Sequence, residues 1–183
     1  MRITMLNAPK KLCSWIAAAL LSVTCVSALH AQDTRESAAA GLRAVDPKEM
    51  DPDYKMDAKF AQKLVDEALA KHPEVILLAI HAGAPKYDII ASNFGRIGKL
   101  GDEDDLRVIL KGTKNLELNK TGTHFEDELP LKTRDGKTIG AIGVVFNYKP
   151  GDDKVALDKI ATEIQKEMQA QITSSKTLFG PAN

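Results

Sequence analysis

The sequence predicts an α+β fold, a mostly antiparallel sheet with two long helices on one face and a short helix and loop on the other. Two segments, 57–71 and 152–172, repeat apolar residues every three or four positions, as amphipathic helices do. Between them lie two pairs of strand-like runs joined by short turns, and such strands run antiparallel. The length of 183 residues suits one domain with a core of its own.

Residues 1–31 are predicted to be a secretory signal peptide and not part of the fold. Three basic residues precede an apolar run over 12–28, and small residues stand before the polar start that follows. We expect cleavage after Ala31, with Ala28 as the second choice. The mature protein is then periplasmic or secreted.

Two alternatives for this segment fit less well. A retained membrane anchor needs a longer apolar run with fewer polar residues, and lipid attachment at Cys25 needs Gly or Ala in place of Thr24. Cys13 and Cys25 are the only cysteines, so their removal leaves no disulfide, thiol nucleophile or thiolate metal site. We expect the mature protein not to span a membrane.

The remaining chain is expected to divide into three parts. Residues 32–56 form a flexible lead-in, because they are polar and Ala-rich, contain prolines and show no sustained period. Residues 57–173 form a single ligand-binding domain, and 174–183 form a flexible tail.

The first half of the domain predicts a helix and a hairpin. The helix over 57–71 has Asp57 available as N-cap and ends before Pro73. The run 74–82 (EVILLAIHA) is apolar at both parities, which is typical of a central strand covered on both faces. A Gly-Ala-Pro turn then leads to a strand at 87–92 (YDIIAS), which pairs back on the first.

Residues 93–111, called the cover below, are expected to be the only segment over the second face of the sheet. Three glycines make 93–101 (NFGRIGKLG) a loop, and the acidic run 102–105 begins a short helix over 102–111, where carboxylates complement the partial positive charge of the helix N-terminus. The same run lacks the alternating ligands and central Gly of a calcium loop. A pocket between sheet and cover follows from this arrangement.

The second half predicts another hairpin and the second long helix. A short strand at 115–119 precedes a run at 123–133, and an Asp-Gly pair separates this run from 137–149, which is a strong hairpin signal. Asp152 or Asp153 caps the final helix.

One run in the second hairpin resembles a known family of sensors. LPLKTRDGKTIGAIGVVFNY at 129–148, preceded by YDIIASN at 87–93 and GRIGK at 95–99, is similar to extracytoplasmic Cache sensor domains of PAS-like fold. The resemblance covers about 57–172 and implies recognition of a small molecule. Cache domains usually feed an output module, but only the predicted tail, 174–183, follows the domain. We therefore expect a stand-alone module that signals through a membrane-bound receptor or signalling partner.

Six residues are candidates for ligand binding. An aromatic wall, cations and amide donors near the cover suit a small anion such as a carboxylate. The candidates are His81, Tyr87, Asn93, Arg96, Lys99 and Phe125. The alternative for Arg96 and Lys99 is that both are solvated loop charges.

No other motif predicts chemistry. A net charge of zero argues against a nucleic-acid partner. We expect no cofactor, no metal and no catalytic residue, because ligand spacings and a G-x-S-x-G run are absent from the sequence. Glu126 and Glu128 share a strand face and are interpreted as its wet side. The open alternatives are a small exported enzyme using His81 or His124 with Glu126, and a structural partner-binding module without a pocket.

Overall fold

The computed structural model describes residues 35–42 and 45–182, in which five antiparallel strands form one open sheet with helices on both faces. The predicted α+β class is confirmed. The predicted signal peptide and its cleavage site lie outside the described residues. The elements are α1 (Lys59–Lys71), β1 (Val75–Ala82), β2 (Ile89–Ser92), α2 (Glu103–Lys111), β3 (Asn115–Leu118), β4 (His124–Lys132), β5 (Thr138–Asn147) and α3 (Lys154–Gln171).

The two predicted hairpins form and join through their first and last strands. The strand order is β2-β1-β5-β4-β3, so β1 pairs with β2 on one side and with β5 on the other. Every residue of β1 is buried, as predicted for a central strand. β2 begins at Ile89 and not at 87, because Tyr87 has a φ of 50° and cannot continue an extended strand.

One face of the sheet, the helix face, packs against both long helices as predicted. Its core combines alternate residues of β4 and β5, such as Leu129 and Ile142, with Leu64 of α1 and Ile164 of α3. Asp153 caps α3 by accepting bonds from Val155 N and Ala156 N.

The start of α1 differs from the expectation. Its N-cap is Ala58, which makes no side-chain capping bond, so the prediction of Asp57 as N-cap is wrong. The backbone of the C-terminal segment takes over part of this role, because Phe60 N donates to Gly180 O at 3.1 Å. The predicted tail contains a 3-10 helix, Ser175–Phe179, whose Leu178 is buried in the helix-face core.

The opposite face, the cover face, is covered by more than residues 93–111. Ala39 of the predicted lead-in is fully buried against this face with Leu77 and Phe94. Arg35 Nε donates to Val75 O at 2.7 Å, and Asp51 N donates to Gly98 O at 2.8 Å. The expectation that the cover acts alone is therefore wrong, because the lead-in packs on the same face and bonds to β1 and to the cover.

No helix in residues 35–42 and 45–182 combines the length and apolar character needed to cross a membrane.

Candidate functional site

The N-terminus of α2 brings a carboxyl pair onto the cover face. Asp102 is the N-cap and accepts bonds from Asp104 N and Asp105 N, while Asp105 accepts a bond from Asp102 N in return, which completes a capping box. At the other end Gly112 adopts the left-handed conformation that ends a helix. The interpretation of the acidic run as helix capping is confirmed. Because Asp105 is also buried, it brings a carboxyl group into the interior.

Strand β4 adds two more carboxyl groups beneath the cover. Strand alternation points Glu126 and Glu128 to the same face, and Glu128 is only 7% exposed. The interpretation of these residues as a wet strand face is wrong for Glu128, because α2 packs over this part of β4, whereas Glu126 is half-buried. Asn115 Nδ2 donates to Glu128 Oε2 at 3.2 Å.

These carboxyl groups lie close together, and too few cations are nearby to neutralise all of their charges. One oxygen each of Asp102, Asp105 and Glu128 lies within 4.8 Å of the others. Burial, with the neighbouring carboxylates, raises the pKa of Glu128 to about 8 and that of Asp105 to about 7. Burial also raises the pKa of Glu126. Near neutral pH this cluster therefore holds protons that ordinary carboxylates would have released.

His81 lies beside the carboxyl cluster as a neutral group. Its Nδ1 is 3.2 Å from Tyr87 O and 3.4 Å from Asp105 Oδ2. Since a carbonyl oxygen only accepts, the proton belongs on Nδ1. Burial lowers the pKa of His81 to about 4, so the imidazole is uncharged at pH 7.

The two predicted cations differ in how they are held. Lys99 Nζ lies 3.2 Å from Asp102 Oδ2, and its side chain is only 12% exposed, so the alternative of a solvated loop charge is wrong for Lys99. Arg96 is half-buried, and its Nε is buried without a hydrogen-bond partner. It lies within electrostatic range of His81 and Glu126.

Two other candidates have structural contacts of their own. Asn93 is fully engaged with β1, since its Oδ1 accepts from Leu78 N and its Nδ2 donates to Ile76 O, both at 3.0 Å. Tyr87 packs beside Val108 and Ile109 of α2.

Phe125 and His124 are not where the sequence reasoning placed them. Phe125 is buried in the helix-face core with Phe146, so the expectation that it approaches the cover is wrong. The alternation that directs Glu126 to the cover face directs Phe125 to the other. Pro130, and not His124, is the β4 residue in register with His81 across β5. Six residues of strand separate the two positions by about 20 Å, so His81 and His124 do not form a pair.

The sequence predicts different roles for two residues of this cluster. It indicates helix capping for Asp105 and a solvated strand face for Glu128. Carboxylate oxygens are ligands for hard cations, but Lys99 already provides positive charge at Asp102, and backbone N–H groups of α2 already bond both aspartates.

Comparisons with known proteins find similarity in fold alone. The sequence matches no protein-family model and no curated protein. The nlh2 GAF domain of A. aeolicus in an inactive state has 17% identity over 85% of this chain and 96% of that one, at a TM-score of 0.47. The type II free methionine-R-sulfoxide reductase of Thermoplasma acidophilum has 14% identity over 80% and 98%, at 0.47.

A third solved structure is an inducer-binding domain. The double mutant of the PobR domain from Acinetobacter, in complex with 3-hydroxybenzoic acid, has 9% identity over 63% of this chain and 98% of that one, at a TM-score of 0.45. GAF and inducer-binding domains are thus among the proteins that this chain resembles in fold. What each of them binds or catalyses is a property of that protein.

Proposed function

We propose that the protein is an exported, sensor-like module that binds a small molecule bearing a carboxylate beneath the cover and acts by being occupied. The observation that carries this proposal is that the guanidinium of Arg96 lacks a bonding partner among the described residues. It forms no hydrogen bond or ion pair with them, although its Nε is buried. A guanidinium offers five donors in a fixed fork that fits a carboxylate, and a buried donor without a partner is costly.

The protonated carboxyl groups support an anionic ligand. Glu126 is within electrostatic range of Arg96, and its pKa, like that of Glu128, is raised by burial. With a pKa of about 8, Glu128 is neutral near pH 7, so it does not repel an incoming carboxylate and its O–H can donate to one. Arg96 therefore supplies a cation on the sheet face where Glu128 is a neutral donor.

Occupancy without bond-making is the favoured mode of action. The pKa of about 4 makes His81 a weak base at neutral pH. His81 and His124 lie on parts of the sheet about 20 Å apart. Neither observation favours the enzymatic alternative.

Export, the Cache type and a membrane-bound partner are the finer parts of the proposal. Export is supported by the pattern of residues 1–31, and the Cache type by the run at 129–148. Signalling then passes to a receptor or signalling partner that recognises the occupied state.

Thermal unfolding with matched ligand pairs tests the ligand class. We expect small carboxylates to raise the melting temperature of the protein, while the corresponding amides do not. A ligand present at 100 times its Kd stabilises by about 2.7 kcal/mol. Arg96→Gln should weaken binding by about 10- to 100-fold, since a hydrogen bond to a charged group contributes about 1.5–3 kcal/mol.

Arg107→Gln is the matched control, because Arg107 pairs with Asp104 on the exposed side of α2. Equal stabilisation by amides and carboxylates, or undiminished binding in Arg96→Gln, would contradict the proposal. Localisation of the protein to the cytoplasm by cell fractionation would contradict the export.

A further inference from the structure

A cleft of about 310 Å³ opens at one end of the sheet, where the turn after β1, the start of β5 and the C-terminal 3-10 helix meet. Its floor includes Ile139 and Leu178, which belong to the helix-face core. The cleft therefore lies on the other side of the sheet from Arg96 and the carboxyl cluster. Its volume is at the lower end of the range for small-molecule sites, about 300–1,000 Å³.

The lining combines an apolar floor with free polar groups. Lys137 is the single charged residue among the described residues around the cleft, and Thr138 and Ser175 add hydroxyl groups. Phe179 forms an apolar wall and remains 36% exposed. None of these three polar side chains forms a hydrogen bond or ion pair with the described residues through its side-chain Nζ or Oγ. An apolar surface with one cation and two free hydroxyls suits an amphiphilic anion.

Tyr87 joins this cleft to the cover face. It lines the cleft, and among the described residues it is the non-glycine residue with a positive φ, at 50°. Such a conformation is uncommon for a bulky residue and is often found at functional sites. The carbonyl of the same residue accepts the bond from His81 Nδ1 at 3.2 Å. Movement of Tyr87 would therefore reach the carboxyl cluster directly.

We infer that this cleft is a second ligand site, which binds a small acid with one carboxylate and a short apolar body. The apolar body lies on Ile139 and Phe179, and the carboxylate faces Lys137 at the rim. Tyr87 links occupancy of the cleft to His81. This site is distinct from the proposed site at Arg96, because the two share no charged residue, and Tyr87 connects them.

Amide NMR spectra of the isotope-labelled protein, purified from cells expressing the full chain, test this inference with three probes of equal length. Hexanoate should shift the amide signals of Gly83, Ile139 and Phe179, while hexan-1-ol and hexylamine should shift them less. Lys137→Gln should weaken hexanoate binding by about fivefold, as expected for an exposed ion pair of about 1 kcal/mol. Lys166→Gln, an exposed lysine on α3, is the control and should leave binding unchanged.

A second variant separates the cleft from other surfaces. Ile139→Trp fills the cleft and should abolish the hexanoate shifts, and dispersed amide signals establish that it is folded. Unchanged signals at Gly83 and Phe179 with millimolar hexanoate would overturn the inference. So would equal shifts with hexylamine, or undiminished binding in Lys137→Gln. Shifts confined to Gly143 and Asp105 would also overturn it, and would instead place hexanoate at the site proposed above.

Discussion

The two faces of the sheet are both buried, but they bury different chemistry. The helix face holds aliphatic and aromatic side chains, such as Leu129 and Phe146. The cover face holds His81, Asp105 and Glu128 beside apolar residues such as Leu77 and Phe94. Burying apolar surface stabilises the fold by about 25 cal/mol per Å², whereas burying carboxyl groups without cations costs stability. The apolar residues of the helix face therefore stabilise the fold, whereas the buried carboxyl groups of the cover face reduce its stability.

A buried acid on the helix face makes the contrast sharper. Asp127 is fully buried, and burial raises its pKa to about 8. However, Lys114 Nζ lies 3.9 Å from it and also pairs with Asp158 of α3, so Asp127 lies beside an ion pair that joins the helix to the sheet. Neither carboxyl oxygen of Asp127 accepts a hydrogen bond from the described residues, whereas Glu128 accepts a bond from the amide of Asn115. Perturbed pKa values are typical of functional sites, and the nearby cation is what distinguishes Asp127 from Glu128.

Two glycines of β5 test how tightly each face is packed, and they have the largest expected effect. A Cβ added at Gly140, on the helix face, would lie 2.1 Å from His81 O, whereas one at Gly143, on the cover face, would lie 3.2 Å from Glu126 Oε1. Gly140→Ala must move backbone and should cost about 3 kcal/mol of unfolding free energy. Gly143→Ala displaces only the end of a side chain and should cost less than about 1 kcal/mol.

Urea unfolding of both variants measures this difference. Gly143→Ala serves as the control for the general effect of adding a methyl group to β5. Equal losses in the two variants would show that the side chain of Glu126 yields no more easily than the backbone of β1, which would contradict the contrast drawn between the two positions.

Glu128→Gln tests the electrostatic cost of the cover face. The folded-state pKa of about 8 lies above the ordinary value of 4.5, so the folded protein binds this proton more tightly than the unfolded chain. The resulting stability is complete below pH of about 4.5 and is lost as the pH rises towards 8. The variant avoids this loss and should be more stable than the original protein by about 2 kcal/mol at pH 8, with little difference at pH 4.

Urea unfolding at pH 4, 6 and 8 provides the measurement. The groups around Glu128 are Asp102, Asp105, Glu126 and Asn115. Glu117→Gln is the control, because Glu117 is an exposed residue of β3 in register with Glu126, and it should change the pH dependence little. If the original protein and Glu128→Gln show the same pH dependence, Glu128 is ionised in the folded state and the cover face carries no such cost.

The same contrast explains what the sequence could predict. The helix face follows from local patterns, since the period of α3 and the alternation of β4 each identify buried residues such as Ile164 and Leu129. These signals lie within one element, where spacing alone decides which side is apolar. The same alternation also predicts the face of Phe125, because Phe125 lies between His124 and Glu126 in the strand and must point to the opposite side.

The cover face depends on contacts between distant segments, which local patterns do not encode. Ala39 lies in a stretch without period, yet it is fully buried. Alternation placed Glu126 and Glu128 on one face, and the cover was expected over the second face of the sheet, but the sequence did not show that these are the same face. The position of Asp105 beside Glu128 follows from the packing of α2 on the sheet. A polar residue in the sequence therefore gives no signal of burial until the segment that covers it is known.

The smallest expected effect concerns how the cover is held. Asp102 accepts bonds from Asp104 N and Asp105 N at 3.1 and 3.2 Å, so Asp102→Ala should cost about 1 kcal/mol in urea unfolding. Asp102→Asn retains a capping oxygen and should lose much less, since the ion pair with Lys99 involves a side chain that is 55% exposed. Asp153→Ala removes the equivalent capping bonds of α3 and is the matched comparison. If Asp102→Asn were as unstable as Asp102→Ala, the charge at Asp102, and not its capping bonds, would hold α2 over the cover face.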